Sequence, residues 1–277
     1  MSTLAHSVIV ADSFPIQHRG TLYVLHGLLG SGRNWMIIAR RLVDLRPDWR
    51  VVLVDLRLHG DSRGLSVPGP DTVASCAEDV LRLHDRISRR DQPVAMLGHS
   101  FGGKVALIAT SVFRPPPIQT WVMDSTPEPS PGDGSSAKML ELLSLSPAQF
   151  AGRDDAVEWL QAGGFDESTA RWMAMSLHRT GESLAWKFDI PGLKDLSADF
   201  ARIDLWSIVE SPPEGTDIRF VQAEAGSILS VDAYARLEAI EGRGEAVSVR
   251  RLAGGHWLHI DNPVGLVAVL AAELPRS

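Results

Sequence analysis

Cysteine is almost absent from this chain. Cys76 stands alone among 277 residues, which excludes an internal disulfide and any metal centre built on several thiolates. Its neighbours Val73, Ala77, Val80 and Ile87 recur at helical spacing, so Cys76 reads as a core thiol rather than a reactive one. Long blocks of like charge are also missing. With a net charge of −7, nucleic acid and anionic membrane surfaces are poor partners. The longest apolar run, "VGLVAVLAA" near the C-terminus, is too short to span a bilayer, so no integral membrane segment is expected. The opening "MSTLAHSVIVADSF" lacks a basic stretch leading into an apolar one, and no secretory signal is read there. The expectation is a soluble intracellular protein, cytoplasmic by default, or one of a plastid or other organelle if a transit peptide has been removed.

What remains is ordinary globular composition, 44% hydrophobic and 22% charged, enough for one large α/β domain or a core with an inserted subdomain. Short apolar runs at 21–27, 50–56, 94–100, 118–124, 218–224 and 247–254 read as strands. Four of them are apolar at both alternating sets of positions, as in a parallel sheet covered on both faces. Amphipathic segments near 32–46, 71–89, 101–113, 230–241 and 262–273 read as helices, with Asp71 placed to cap the second. This alternation predicts a mostly parallel, doubly wound α/β sheet. The pattern breaks between 126 and 205, where a Pro/Gly/Ser loop and three short helical candidates follow with no strong buried strand. The predicted organisation is a core of residues 1–125 and 206–277 with a helical cap inserted at 126–205.

The stretch "LGHSFGGKV" (97–105) carries two motifs. As a phosphate-binding loop it is one residue short, and Val105 stands where a magnesium-ligating Ser or Thr is required. As G-x-S-x-G it lies where a strand runs into a helix, the context a nucleophile elbow needs. Gly98 and Gly102 suit a turn with no room for Cβ atoms. Ser100 is thus the candidate nucleophile, with helix-start amides such as Phe101 N–H aimed at the same point. A serine hydroxyl needs a base held by a carboxylate. His256, on the glycine-rich loop "LAGGHWLHIDNP" after the last strand, is the candidate. His259, His99, His26 and His59 read as structural. The loop "HGLLG" (26–30) offers Leu28 N–H as a second oxyanion donor beside Phe101.

The segments "VLHGLLGSGRNW", "VDLRLHGDS", "GHSFGGKVAL" and "GHWLHIDNP" together resemble the α/β-hydrolase superfamily. Within it they resemble the esterase branch that includes abhydrolase-domain protein 11, the bacterial esterase YbfF and their plant relatives. The D-x-R-x-H-G-x-S element at 55–62 is the most branch-specific part, and the resemblance spans nearly the whole chain. It implies hydrolysis of small-molecule esters or thioesters through an acyl-enzyme, with no metal or organic cofactor.

One departure concerns the acid. The usual position after the penultimate strand reads "RFVQAEAGSILS", which contains no Asp. The resemblance to the YbfF-like branch implies recruitment of the acid from the strand after the elbow helix, where Asp124 lies, with a serine such as Ser227 in the usual place. Glu224 is the second candidate, and a dyad assisted by Ser227 or water is the third. In the cap, Met139, Trp159, Trp172 and Trp186 are candidates to roof an apolar substrate pocket, and Lys104 reads as a local charge contact. The expected function is a serine esterase or thioesterase acting on small to medium acyl substrates. The alternatives are a non-catalytic receptor or scaffold on the same fold, or a lyase or acyltransferase using the same serine.

Overall fold

The computed structural model describes residues 3–12, 18–65, 69–88, 92–132, 134–186, 188–244 and 246–276. In chain order β1 (His6–Ile9), β2 (Gly20–Leu25), α1 (Met36–Leu45) and β3 (Trp49–Val54) come first. Then follow α2 (Val73–Ile87), β4 (Val94–His99), α3 (Phe101–Val112) and β5 (Gln119–Met123). The next segment holds α4 (Ser135–Ser144), α5 (Arg153–Ala162), α6 (Glu167–Ala174), the hairpin β6 (His178–Thr180) and β7 (Ser183–Ala185), and α7 (Ile190–Arg202). The chain finishes with α8 (Trp206–Glu210), β8 (Asp217–Ala223), α9 (Val231–Glu241), β9 (Val247–Leu252), α10 (Leu258–Asp261) and α11 (Pro263–Glu273).

The main sheet has the order β1-β3-β2-β4-β5-β8-β9. All pairs are parallel except β1 with β3. Side-chain alternation divides the core in two. Leu22 and Val24 face a layer with Ile38, Leu42, Leu266 and Leu270 of α1 and α11. Tyr23 and Leu25 face a layer with Val80, Val105 and Leu237 of α2, α3 and α9. Because both faces are covered, the central strands are apolar throughout, which made them conspicuous in the sequence. Connections from β2 and β4 leave in opposite directions along the sheet. The crevice outside their carboxyl ends is therefore a switch point, the place where α/β sheets bind ligands.

Three local expectations are corrected. The edge strand β1 was not foreseen, because its four residues are mostly exposed and lack a buried stripe. Residues 126–205 contain a two-stranded hairpin and four helices rather than three helical segments alone. The hairpin strands are three residues long and largely outside the core, too short for a periodic signal. Thr72, not Asp71, caps α2 by accepting from Ser75 N–H, while Asp71 pairs with the buried guanidinium of Arg57. Position 89 of the second predicted helix lies outside the described residues. Cys76 is fully buried, as its spacing implied, and burial pushes its thiol well above the ordinary range.

Lys104 fastens the segment between β5 and β8 to the core. Its buried ammonium donates to the carbonyls of Glu128 at 2.8 Å, Phe200 at 2.7 Å and Ile203 at 2.9 Å. Both ends of the helical segment thus meet at one cation on the helix that carries the elbow. A second tie comes from Asp199 of α7, which accepts from Val73 N–H at the start of α2 at 2.8 Å, where a carboxylate is favoured by the helix dipole. Replacing Lys104 by Met removes the donor that these three carbonyls share. At about 1 kcal/mol for each bond lost, Lys104→Met should lower Tm by roughly 6–12 °C in a thermal melt followed by circular dichroism. An unchanged Tm would show that the clamp contributes nothing.

Candidate active site

Every loop that leaves the carboxyl edge of β2, β3, β4 and β5 contains one non-glycine residue at positive φ. They are Leu29 (φ 65), Leu58 (φ 63), Ser100 (φ 51) and Asp124 (φ 39). L-residues avoid this region, at a cost of about 1–3 kcal/mol each, so the surrounding structure must hold all four in place. For Ser100 the reason is visible. Its N–H donates to Met123 O at 3.0 Å, and the chain turns at once into α3. A Cβ on Gly98 would lie 2.0 Å from Gly102 O, and one on Gly102 would lie 2.3 Å from Leu25 O. Only glycine permits this approach.

Asp124 follows β5 on the next strand over. Its side chain has no exposure and accepts three hydrogen bonds. Oδ1 takes the N–H of Ala223 at 3.0 Å and the hydroxyl of Ser227 at 2.5 Å. Oδ2 takes Nδ1–H of His256 at 2.6 Å. These three donors take the place of the water that burial removes from the carboxylate. That contact places the proton of neutral His256 on Nδ1 and the lone pair on Nε2. Among the described residues neither Nε2 of His256 nor Oγ of Ser100 forms a hydrogen bond, to each other or elsewhere, and both residues line the same cavity. Glu224 is corrected: it sits exposed at the end of β8, outside the cavity lining and without contact to His256. Ser227 supports Asp124, and its Oγ in turn accepts from Leu229 N–H at 3.2 Å.

Two buried histidines shape the Leu28 loop by reaching across it in opposite directions. His26, after β2, donates from Nδ1 to Gly27 O at 2.8 Å and accepts on Nε2 from Leu56 N–H at 3.1 Å. His59, after β3, donates from Nδ1 to Arg57 O at 2.7 Å and accepts on Nε2 from Leu29 N–H at 3.0 Å. Each ring therefore ties the other's loop, and each must be neutral to accept. Burial pushes His26 down to about 4 and His59 down to about 3. Leu29 N–H is spent on this clasp. Leu28 and Phe101 both line the cavity, and Phe101, as the first residue of α3, has an N–H with no acceptor inside its helix. His99 holds the other side of the site: its Nε2–H donates to His256 O at 2.8 Å.

The cavity measures about 630 Å³ and lies between the sheet edge and the helical segment. Of the four candidate roof residues, Met139 and Trp172 line it, joined by Phe165, Phe200 and Trp257. Trp159 and Trp186 are corrected: both pack on Phe150, with ring centroids 5.9 Å apart in each case, inside the helical layer. Helical spacing marks apolar residues but does not say which face the cavity and which face a neighbouring helix. Trp257, adjacent to His256, went unnoticed; its contact with Trp172 at 5.0 Å joins two segments far apart in sequence. Among the described residues, no group of three or more His, Cys, Asp or Glu side chains is arranged to hold a metal ion. No helix among them is long and apolar enough to cross a membrane.

A family model described as the alpha/beta hydrolase fold matches residues 20–263. The chain belongs to this family. It is 24% identical over 261 residues to the sn-1-specific diacylglycerol lipase ABHD11 of Danio rerio, covering 91% of this chain and 78% of that one. Protein phosphatase methylesterase 1 of Homo sapiens is 26% identical over 160 residues, covering 55% of this chain and 40% of its own. Among solved structures, a marine microorganism esterase superposes with a TM-score of 0.79 at 24% identity, covering 98% of this chain and 99% of that one. The esterase-branch motifs of the sequence are thus matched by relatives bearing esterase and lipase names.

The histidine clasp of this hydrolase makes an acid prediction. Both folded-state values lie below the ordinary histidine value of 6.5, so between them the unfolded chain binds more protons than the folded one. The corresponding stability is fully present above about pH 6.5 and declines as pH falls towards 4. Urea midpoints should fall across that window, and the double variant His26→Gln/His59→Gln should flatten the slope. A midpoint that stays level from pH 6.5 to 4 would contradict the neutral clasp.

Proposed function

We propose that this α/β-hydrolase is a serine esterase or thioesterase that cleaves small to medium acyl substrates through an acyl-enzyme. The observation that carries the reading is the 2.6 Å contact from His256 Nδ1 to the buried Asp124 carboxylate, in a cavity that also holds Ser100. His256 Nε2 takes the Ser100 proton as Oγ attacks the carbonyl carbon. The carbonyl π electrons move to oxygen, which the N–H groups of Leu28 and Phe101 stabilise. His256 then gives its proton to the departing alcohol or thiol, leaving the acyl group on Ser100. Water, deprotonated by His256, reverses these steps and frees the acid. The Ser100–His256 hydrogen bond closes with substrate in place, as catalytic contacts that are loose in an unliganded enzyme commonly do.

In this scheme Asp124 keeps the imidazole in the tautomer with Nε2 free and stabilises the imidazolium that forms. Ser227 and Ala223 N–H orient the carboxylate without touching substrate. The mixed lining, with Met139, Phe165, Trp172 and Phe200 in one wall, suits a substrate with an apolar acyl or aromatic portion.

Three measurements test the reading. A fluorophosphonate should label wild-type protein at Ser100 and leave Ser100→Ala unlabelled, with turnover of p-nitrophenyl acyl esters lost in parallel. Labelling at another residue, or none, would exclude the assignment. Asp124→Asn should reduce kcat by roughly two or more orders of magnitude by stranding the wrong tautomer. Ser227→Ala removes one hydroxyl from a carboxylate that keeps two other donors, and Glu224→Gln changes a residue outside the cavity. Both should cost much less; a crippling Glu224→Gln would overturn the choice of acid.

A further inference from the structure

His259 lines the cavity three residues after His256, stacked on Trp35 with centroids 4.5 Å apart and planes 19° off parallel. Its Nδ1 is buried with no hydrogen-bond partner among the described residues. Such orphaned atoms are uncommon in folded proteins and call for an explanation. Nε2 also lacks a protein partner, yet it is not among the buried atoms, so it is the nitrogen that reaches open space. The two facts together decide where the proton sits. A proton on Nδ1 would be a buried donor without an acceptor, whereas a proton on Nε2 can be given to whatever occupies the cavity. Burial, reinforced by the nearness of His256, pushes His259 down to about 4. His259 therefore presents a neutral N–H to the cavity.

Asn34, the residue before Trp35, supplies a second donor. Its Oδ1 accepts from Ser31 N–H at 2.8 Å, which leaves the Nδ2 amide uncommitted among the described residues. Asn34 also lines the cavity, and a Cβ on Gly30 of the Leu28 loop would come within 3.4 Å of Asn34 Oδ1. The pair thus belongs to the sheet-edge wall, next to the loop that faces Ser100. Across the cavity, the helical segment contributes Met139, Phe165, Trp172 and Phe200. One wall solvates hydrocarbon, and the other offers two uncharged donors that the proposed chemistry does not use.

We propose that Asn34 and His259 form a specificity subsite for a neutral oxygen substituent, a hydroxyl or keto group, carried by the ester near its scissile bond. The proposal deepens the serine-hydrolase reading and rests on it for the identity of that bond. Neutral donors match an uncharged oxygen, since no cationic side chain is paired with them to offset the desolvation of an anion. The substrate class is an amphiphilic ester, apolar towards the helical segment and oxygenated towards the sheet edge. The oxygen can lie in the acyl part or in the alcohol part, and matched substrates separate the two sources.

The experiment compares kcat/KM for ethyl butyrate with ethyl 3-hydroxybutyrate, the acyl arm, and with 2-hydroxyethyl butyrate, the alcohol arm. Wild-type enzyme should favour the oxygenated ester in one arm by roughly tenfold, the worth of a good neutral hydrogen bond. His259→Phe keeps a ring against Trp35 but has no N–H. Asn34→Asp keeps the acceptor for Ser31 and loses the amide donor. In each variant the ratio should collapse to within about twofold of one, with unchanged melting and Ser100 labelling showing that the site is intact. Calorimetric titration of the same esters into Ser100→Ala reads the preference as Kd, independently of turnover. Equal kcat/KM and equal Kd in both arms, or a ratio that survives in both variants, would overturn the subsite. A preference in Kd with no hydrolysis by wild-type protein would instead overturn the serine-hydrolase reading and leave the subsite standing.

Discussion

The site is organised around a buried carboxylate. Asp124 has no solvent exposure, so its charge depends on donors supplied by the protein. They come from three places: the end of β8 through Ala223 N–H, the following loop through Ser227, and the loop after β9 through His256. The bond to His256 spans 132 positions of sequence, and only the parallel register brings its ends together. His99 pairs with Met123 and Met123 with Val221, while β8 and β9 run two residues further to the Ala223–Leu252 pair, so all four strands end at the same edge of the sheet. Loops leaving them have little choice but to meet. A shift of one residue in any pair would send each side chain of the strand to the opposite face of the sheet and pull Asp124 away from the imidazole.

That convergence accounts for the strained backbone around it. Leu29, Leu58, Ser100 and Asp124 hold positive φ, each within four residues of a strand's carboxyl end, and at Ser100 the chain must enter α3 at once. The strain is held by specific contacts. The His26–His59 clasp braces the first two loops, the glycines on either side of Ser100 allow α3 to approach the sheet, and Asp124 N–H donates to Val221 O. A looser frame would relax these residues and lose the shared focus.

The helical segment is coupled to the same frame. Lys104 lies four residues after Ser100 and gathers carbonyls from both ends of that segment. The roof of the cavity is thereby referred to the helix that carries the serine. The cavity that results is unequal in its chemistry, with aromatic and thioether side chains in the roof and the histidine-rich loops in the floor. The floor histidines differ by partner among the described residues: His26 and His59 spend both nitrogens on backbone groups, His99 spends Nε2 on one, His256 spends Nδ1 on Asp124, and His259 spends neither.

Much of this was legible from residues alone. Strands buried on both faces are continuous apolar runs, and the G-x-S-x-G turn announces itself because glycine is the only residue that fits there. Ser100, His256 and the Leu28 loop follow from local pattern and chain order, both of which are one-dimensional. The acid was not decided in that way. Asp124 and Glu224 both follow strands that end at the same edge, and the choice rests on side-chain direction and burial, which arise only when β5 and β8 pair. The roof was less legible still, since Trp159 and Trp172 share composition and periodicity but face different neighbours. Sequence by itself determined the fold class and singled out the elbow serine as the candidate nucleophile, because local sterics and period dictate both. Tertiary structure alone decided which carboxylate meets the histidine, which aromatics face the cavity and which imidazole is left without a partner, because each depends on contacts between segments distant in the chain.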